Sequence, residues 1–192
     1  MYFIIRRHDY IDMTGMTFRQ YLRDGHNGER ATVEDWADHL TTLFPETRIK
    51  RYIEIRSVDS QPPELMPALS ALIKGAFYDN DCLQAAWDLV KGWSWDERNQ
   101  VYLDSHENAL AARIRRYSLL DLAKEFLEIA WEGLRRQNVV NDLGDDETIY
   151  LQPLKSLLAQ GKCPADILVD KWEGELHHDI KKLIAYSAYK LP

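Results

Sequence analysis

A predominantly helical α+β fold is what this sequence predicts, on three observations. Apolar residues recur at helical spacing along most of the chain, two short segments are rich in β-formers, and capping signals stand where helical runs begin. The 192 residues suffice for one well-buried domain and fall short of two comfortable ones. Apolar residues at 45% and charged residues at 29% give the balance of a globular protein.

Residues 2–7 form the first predicted strand, with Asp9 near a turn and Tyr10-Ile11 returning. Thr17 with Gln20 is a capping box and opens a helix; another runs from Thr32 to about Leu43, stopped by Pro45. Residues 48–57 form the stronger strand. Pro62-Pro63 suits a helix entrance, and Leu65, Leu69, Leu72, Ile73, Ala76 and Phe77 carry that helix. Ser94 with Glu97 marks another start. Leu119, Leu122, Ala123, Phe126, Ala130 and Leu134 mark a longer helix over residues 118–136. Residues 138–148 are the best loop. Leu151, Leu154, Leu157 and Leu158 give a helix closed by Gly161, and Leu176, Ile180, Leu183 and Ile184 give the last one. Two strands make only a marginal sheet. They either pair with each other under a helical layer or belong to a larger sheet, and a chain that opens on a strand reads as cut.

A net charge of −7 with no basic stripe argues against nucleic acid as a partner. The longest apolar stretch, residues 65–73, is broken by Pro67 and Ser70, far short of the roughly 20 residues a membrane span requires. Cys82 and Cys163 stand alone, and the first seven residues reverse the order of a secretory signal; both fit a reducing cytoplasm.

Alternate side chains of a strand share a face, about 6.5–7 Å apart. Read as one strand, residues 48–56 put Ile49, Ile53 and Ile55 on one face, with Arg51 as the exception. Arg48, Lys50, Tyr52, Glu54 and Arg56 share the other. One face can pack on helices while the other presents cations, a carboxylate and a phenol, either as a solvated face or as a site. A carboxylate can ligate magnesium, and guanidinium forks match phosphate oxygens.

The run Arg51-Tyr52-Ile53-Glu54-Ile55-Arg56-Ser57-Val58-Asp59 resembles the tyrosine-x-Glu-x-Arg strand motif of the glutamate–cysteine ligase family, whose distant relative glutamine synthetase carries a similar strand. Tyr10-Ile11-Asp12-Met13-Thr14-Gly15-Met16-Thr17-Phe18-Arg19-Gln20 resembles the plant and bacterial branch, as does His39-Leu40-Thr41-Thr42-Leu43-Phe44-Pro45-Glu46. The likeness covers essentially the whole chain. It implies the C-terminal portion, residues 1–192, of one catalytic domain of glutamine synthetase-like fold, a few antiparallel strands packed against helices. The implied activity joins L-glutamate to L-cysteine through γ-glutamyl phosphate, with ATP and Mg2+, as the first step of glutathione biosynthesis. Glu54 is then a metal ligand and a catalytic residue with Arg56. Arg56, Lys50 and Arg48 contact phosphate, and Asp59, Gln61 and Thr14 contact substrate. Plant enzymes have a regulatory cysteine where this chain has Met13, so that redox switch is not expected. Family members are roughly twice as long, with most metal-binding carboxylates upstream, so the chain alone is expected to be inactive or nearly so.

Adjacent His177 and His178 on a helix do not converge on a metal, and Asp142, Asp145, Asp146 and Glu147 lack calcium-loop spacing. Two rival readings remain. One is a related carboxylate–amine ligase with another amine acceptor. The other is a non-catalytic helical remnant that binds a partner, such as the missing N-terminal half as a separate chain. The latter predicts a large exposed apolar patch around the strands.

Overall fold

The computed structural model describes residues 1–189 and divides the chain into two compact units, Met1–Asp59 and Ser60 onward. Nine α-helices and three separate two-stranded antiparallel ribbons occur among the described residues, so the α+β, predominantly helical reading holds.

In the first unit, β1 (Phe3–Arg6) pairs with β2 (Asp9–Asp12), Ile4 opposite Ile11. Helix α1 (Phe18–Asp24) starts at Thr17 through the anticipated capping box with Gln20. Helix α2 (Val33–Thr41) starts at Thr32. Ile4, Met13 and Tyr21 form the core, with Ile11, Met16 and Phe18 packed around them. Met13 is therefore a buried core side chain.

Ion pairing at Arg6 holds these elements together. Its Nη1 and Nη2 donate to the two Asp35 oxygens at 2.6 and 2.9 Å, its Nε donates to Glu29 at 2.7 Å, and Nη2 also donates to the Tyr21 hydroxyl at 2.8 Å. Asp35 accepts from the Thr32 backbone N–H at 2.8 Å while the Thr32 hydroxyl accepts from the Asp35 N–H at 3.1 Å. One carboxylate thus caps α2 and anchors β1. The Arg6 hydrogen bonds, joined by the Thr32 contacts, hold the Asp35 pKa down at about 2 against the cost of burial.

The two predicted strands do not pair with each other. Residues 48–57 fold into a hairpin, β3 (Thr47–Ile49) and β4 (Ile53–Ile55), because residues 50–52 turn the chain. Arg51 falls on that turn, which removes the exception in the alternation. The isoleucine face is not packed on helices: Ile49 is 82% and Ile53 67% exposed.

The second unit is built on α3 (Met66–Phe77) and α6 (Leu119–Gln137). A Cβ on Gly75 would lie 2.1 Å from the Ala130 carbonyl oxygen, and one on Gly133 would lie 1.9 Å from that of Gly75. The two backbones therefore touch, and Ala71, Ala76, Leu127, Ala130, Leu134 and Leu151 close the core around them. Helix α4 (Asn80–Val90), capped by Asp79, packs on both. Helix α5 (Trp95–Asn108) begins at the Ser94–Glu97 capping box; the β5 (Arg113–Ile114) and β6 (Tyr117–Ser118) ribbon leads into α6. Val101, Ala112, Ile114 and Leu122 form a second cluster there. After loop 138–146, α7 (Gln152–Ala159) is followed by α8 (Pro164–Glu173) and α9 (Ile180–Ser187). Helices α4 and α8 and the β5–β6 ribbon escaped the sequence reading. His177 and His178 lie in the α8–α9 turn with positive φ, not on a helix face. No helix among the described residues is long and apolar enough to cross a membrane.

Two outcomes follow from these contacts. Gly133→Ala must force α6 away from α3, so urea unfolding should show a loss of about 3 kcal/mol, at the upper end of overpacking costs. Asp35 titrates lower in the folded chain than the ordinary aspartate value of 3.8. Its contribution, on the order of 2 kcal/mol, is therefore complete above about pH 5 and lost as pH falls toward 2. Stability of residues 1–59 measured against pH should show that loss, and Asp35→Asn should flatten the curve while lowering its plateau.

Candidate functional site

The hairpin brings four of the predicted site residues together. A three-residue turn folds β4 back on β3, so Arg48 and Glu54, distant along a single strand, become direct cross-strand partners. Arg48 Nε lies 2.8 Å and its Nη2 2.7 Å from Glu54 Oε2. Arg56 Nη1 reaches the same oxygen at 3.3 Å. Lys50 Nζ stands 3.2 Å from Oε1, and the Tyr52 hydroxyl donates to Oε1 at 3.3 Å. The Glu54 side chain is 19% exposed. The Arg48 hydrogen bonds, followed by those of Lys50 and Arg56, hold its pKa down at about 2.

Arg56 has two further holds. Its backbone N–H donates to the Glu46 carbonyl at 2.8 Å, which extends the ribbon, and its guanidinium lies 5.7 Å from the Phe44 ring centroid. Only one of its five donors is spent on Glu54. Three cations around one carboxylate leave the cluster positive, an arrangement able to take an oxyanion.

The same geometry bears on magnesium. Both Glu54 oxygens are engaged by cations, and among the described residues no group of three or more His, Cys, Asp or Glu side chains could hold a metal ion. Magnesium takes oxygen ligands and loses water reluctantly. A divalent cation approaching Glu54 meets three like charges, so the residues as arranged do not fit that ion.

The other predicted residues lie elsewhere. Thr14 occupies the turn before α1, where its N–H donates to Asp12 at 2.8 Å; it is not one of the groups around Glu54. Asp59 follows Arg56 by three residues in irregular chain. The Gln61 carbonyl accepts from the Tyr189 hydroxyl at 2.8 Å. Sequence reasoning missed Tyr189, as well as the Arg6–Asp35 pair. The spacing of Thr32 and Asp35 is a capping-box signal that could have marked the latter.

Pyrophosphate affinity of the chain, measured by calorimetry without metal, should fall roughly tenfold in Arg56→Ala, equal to about 1.4 kcal/mol. Equal affinity in the variant would remove Arg56 from the anion site.

Residues 4–185 match the family model described as Glutamate-cysteine ligase family 2. The glutamate–cysteine ligase of Medicago truncatula is 36% identical over 96% of this chain and 36% of its own length. That of Arabidopsis thaliana is 38% identical over 91% and 33%, and ligase A of Oryza sativa subsp. indica is 35% identical over 98% and 38%. The chain thus spans about a third of the length of these relatives. All three are named chloroplastic, which overturns the cytoplasmic location expected from the sequence. Solitary cysteines fit any reducing compartment and could not separate a plastid from the cytosol. With the match running through nearly every element described above, the chain belongs to the glutamate–cysteine ligase family 2.

Proposed function

We propose that this chain supplies the phosphate-handling part of an ATP-dependent ligase that joins L-glutamate to L-cysteine. One observation carries the reading: Arg48, Lys50 and Arg56 converge on Glu54 in the segment that bears the family's tyrosine-x-Glu-x-Arg motif. In the proposed reaction the glutamate γ-carboxylate attacks the γ-phosphate of ATP and gives an acyl phosphate. The cysteine amine then displaces phosphate and forms the amide, the first step of glutathione biosynthesis.

Cations set before the reaction begins stabilise the charge that spreads over a transferring phosphoryl group. Arg56 is the proposed principal contact, with Arg48 and Lys50 beside it; Glu54 holds all three against mutual repulsion. Asp59, Gln61 and Thr14 are proposed toward the amino-acid substrates. Magnesium is proposed only as the ion that accompanies ATP, since the residues around Glu54 do not fit it.

A second reading has its own observation. Ile49 and Ile53 on the hairpin, with Phe44 at 77% exposure, leave apolar surface uncovered. A polypeptide equivalent to the rest of the longer relatives is the proposed partner for it.

A coupled assay of the purified chain with L-glutamate, L-cysteine and Mg-ATP should detect no γ-glutamylcysteine above background. Substantial product from the chain by itself would contradict the division of labour proposed here. An active complete ligase containing this segment should form ADP with cysteine in preference to other amines, and a different preferred amine would change the assigned acceptor.

A further inference from the structure

The Tyr189 phenol makes two hydrogen bonds to the segment that leads into α3. Ser60 Oγ lies 2.6 Å from Tyr189 Oη, and Tyr189 Oη donates to the Gln61 carbonyl at 2.8 Å. A phenol carries one hydrogen and accepts through its lone pairs. With that hydrogen on the Gln61 carbonyl, the Ser60 hydroxyl is the donor to Tyr189. Both contacts are satisfied by one arrangement of protons, between residues 129 and 128 positions apart in sequence.

Both sides of the contact are prepared by the backbone. Helix α9 ends at Ser187, and Ala188 at φ −69° and ψ 133° leads the chain off the helix in an extended conformation. Opposite it, residues 60–62 carry no regular structure. Gln61 precedes Pro62-Pro63, so it is biased to an extended conformation, and two successive residues lack an N–H donor. Such a segment is ordered through its carbonyls and hydroxyls, and Tyr189 engages one of each.

We propose that Tyr189 is a positioning residue: by gripping the Ser60 hydroxyl and the Gln61 carbonyl it sets how Gln61 is presented to an amino-acid substrate. The substrate rests on the ligase reading above; the grip rests on the contacts alone. Affinity for an amino acid, more than affinity for nucleotide, is then governed by a residue just beyond α9.

The test uses 15N relaxation on the full chain together with steady-state kinetics on an active ligase carrying it. In the native chain the amides of Ser60 and Gln61 should have order parameters close to those of α3. In Tyr189→Phe they should drop to the flexible range, below about 0.6, with the thermal midpoint unchanged. Ser60→Ala, which keeps the bond to Gln61, should loosen residue 60 while Gln61 stays ordered; it decides alone if Tyr189→Phe unfolds. In the ligase, Tyr189→Phe should raise KM for one amino-acid substrate several-fold and leave KM for ATP unchanged. Order parameters that do not change, or equal rises in both KM values, would overturn the proposal. A ligase without turnover would refute the reading of function, and the relaxation result would still decide whether Tyr189 holds the segment.

Discussion

One carboxylate reconciles three like charges on a short hairpin. Arg48, Lys50 and Arg56 would repel one another on a shared face, and Glu54 gives each of them a partner within 3.3 Å. The interaction is reciprocal: the cations keep Glu54 ionised well below its ordinary range, and Glu54 keeps the cations convergent. The side chains are partly exposed, so solvent weakens each pair and the cluster adds little to stability. What it supplies is position, which is what the proposed phosphoryl-transfer chemistry would ask of it.

Each unit is held by an anchor of its own. In the first unit Arg6 and Asp35 tie β1 to the start of α2, so the ribbon and both helices share one polar anchor beside the Ile4–Met13–Tyr21 core. In the second unit the close approach at Gly75 and Gly133 fixes α3 against α6. Dispersion contacts fall off steeply with separation, so two backbones in contact leave little freedom for sliding. Residues 60–62, ahead of α3, have no ladder of their own, which makes the Tyr189 contacts matter there.

Helices with strong periodicity or a capping box were legible in the sequence. The helices beginning after Thr17, Ser94 and Ser118 start where their signals stand, while α3 begins at Met66, beyond the Pro62-Pro63 entrance, with Pro67 in its first turn. Helix α4 was missed because Asp79 caps it without a Glu or Gln three residues on, and α8 because Cys163 stands where a Ser, Thr, Asp or Asn would mark a start. The composition of the cation cluster was legible too, since alternation placed Arg48, Lys50, Glu54 and Arg56 on one face. Its geometry was not. A nearly unbroken alternating pattern, with Arg51 its one exception, hides a turn when the turn residues are themselves charged or aromatic, as Lys50, Arg51 and Tyr52 are, with no Gly, Asn or Pro to mark it. The Tyr189 contact lies 128 residues from its partner, beyond any local pattern.

In the proposed function Glu54 serves a cation cluster that takes an oxyanion, not a metal held by this chain alone. Its most direct test follows the 13C resonance of the Glu54 carboxyl while Mg2+ alone and pyrophosphate alone are titrated into the chain. The account predicts that pyrophosphate moves the resonance and saturates, as the cations redistribute between two anions, while Mg2+ leaves it in place. A saturable shift with Mg2+ alone, and none with pyrophosphate, would contradict it.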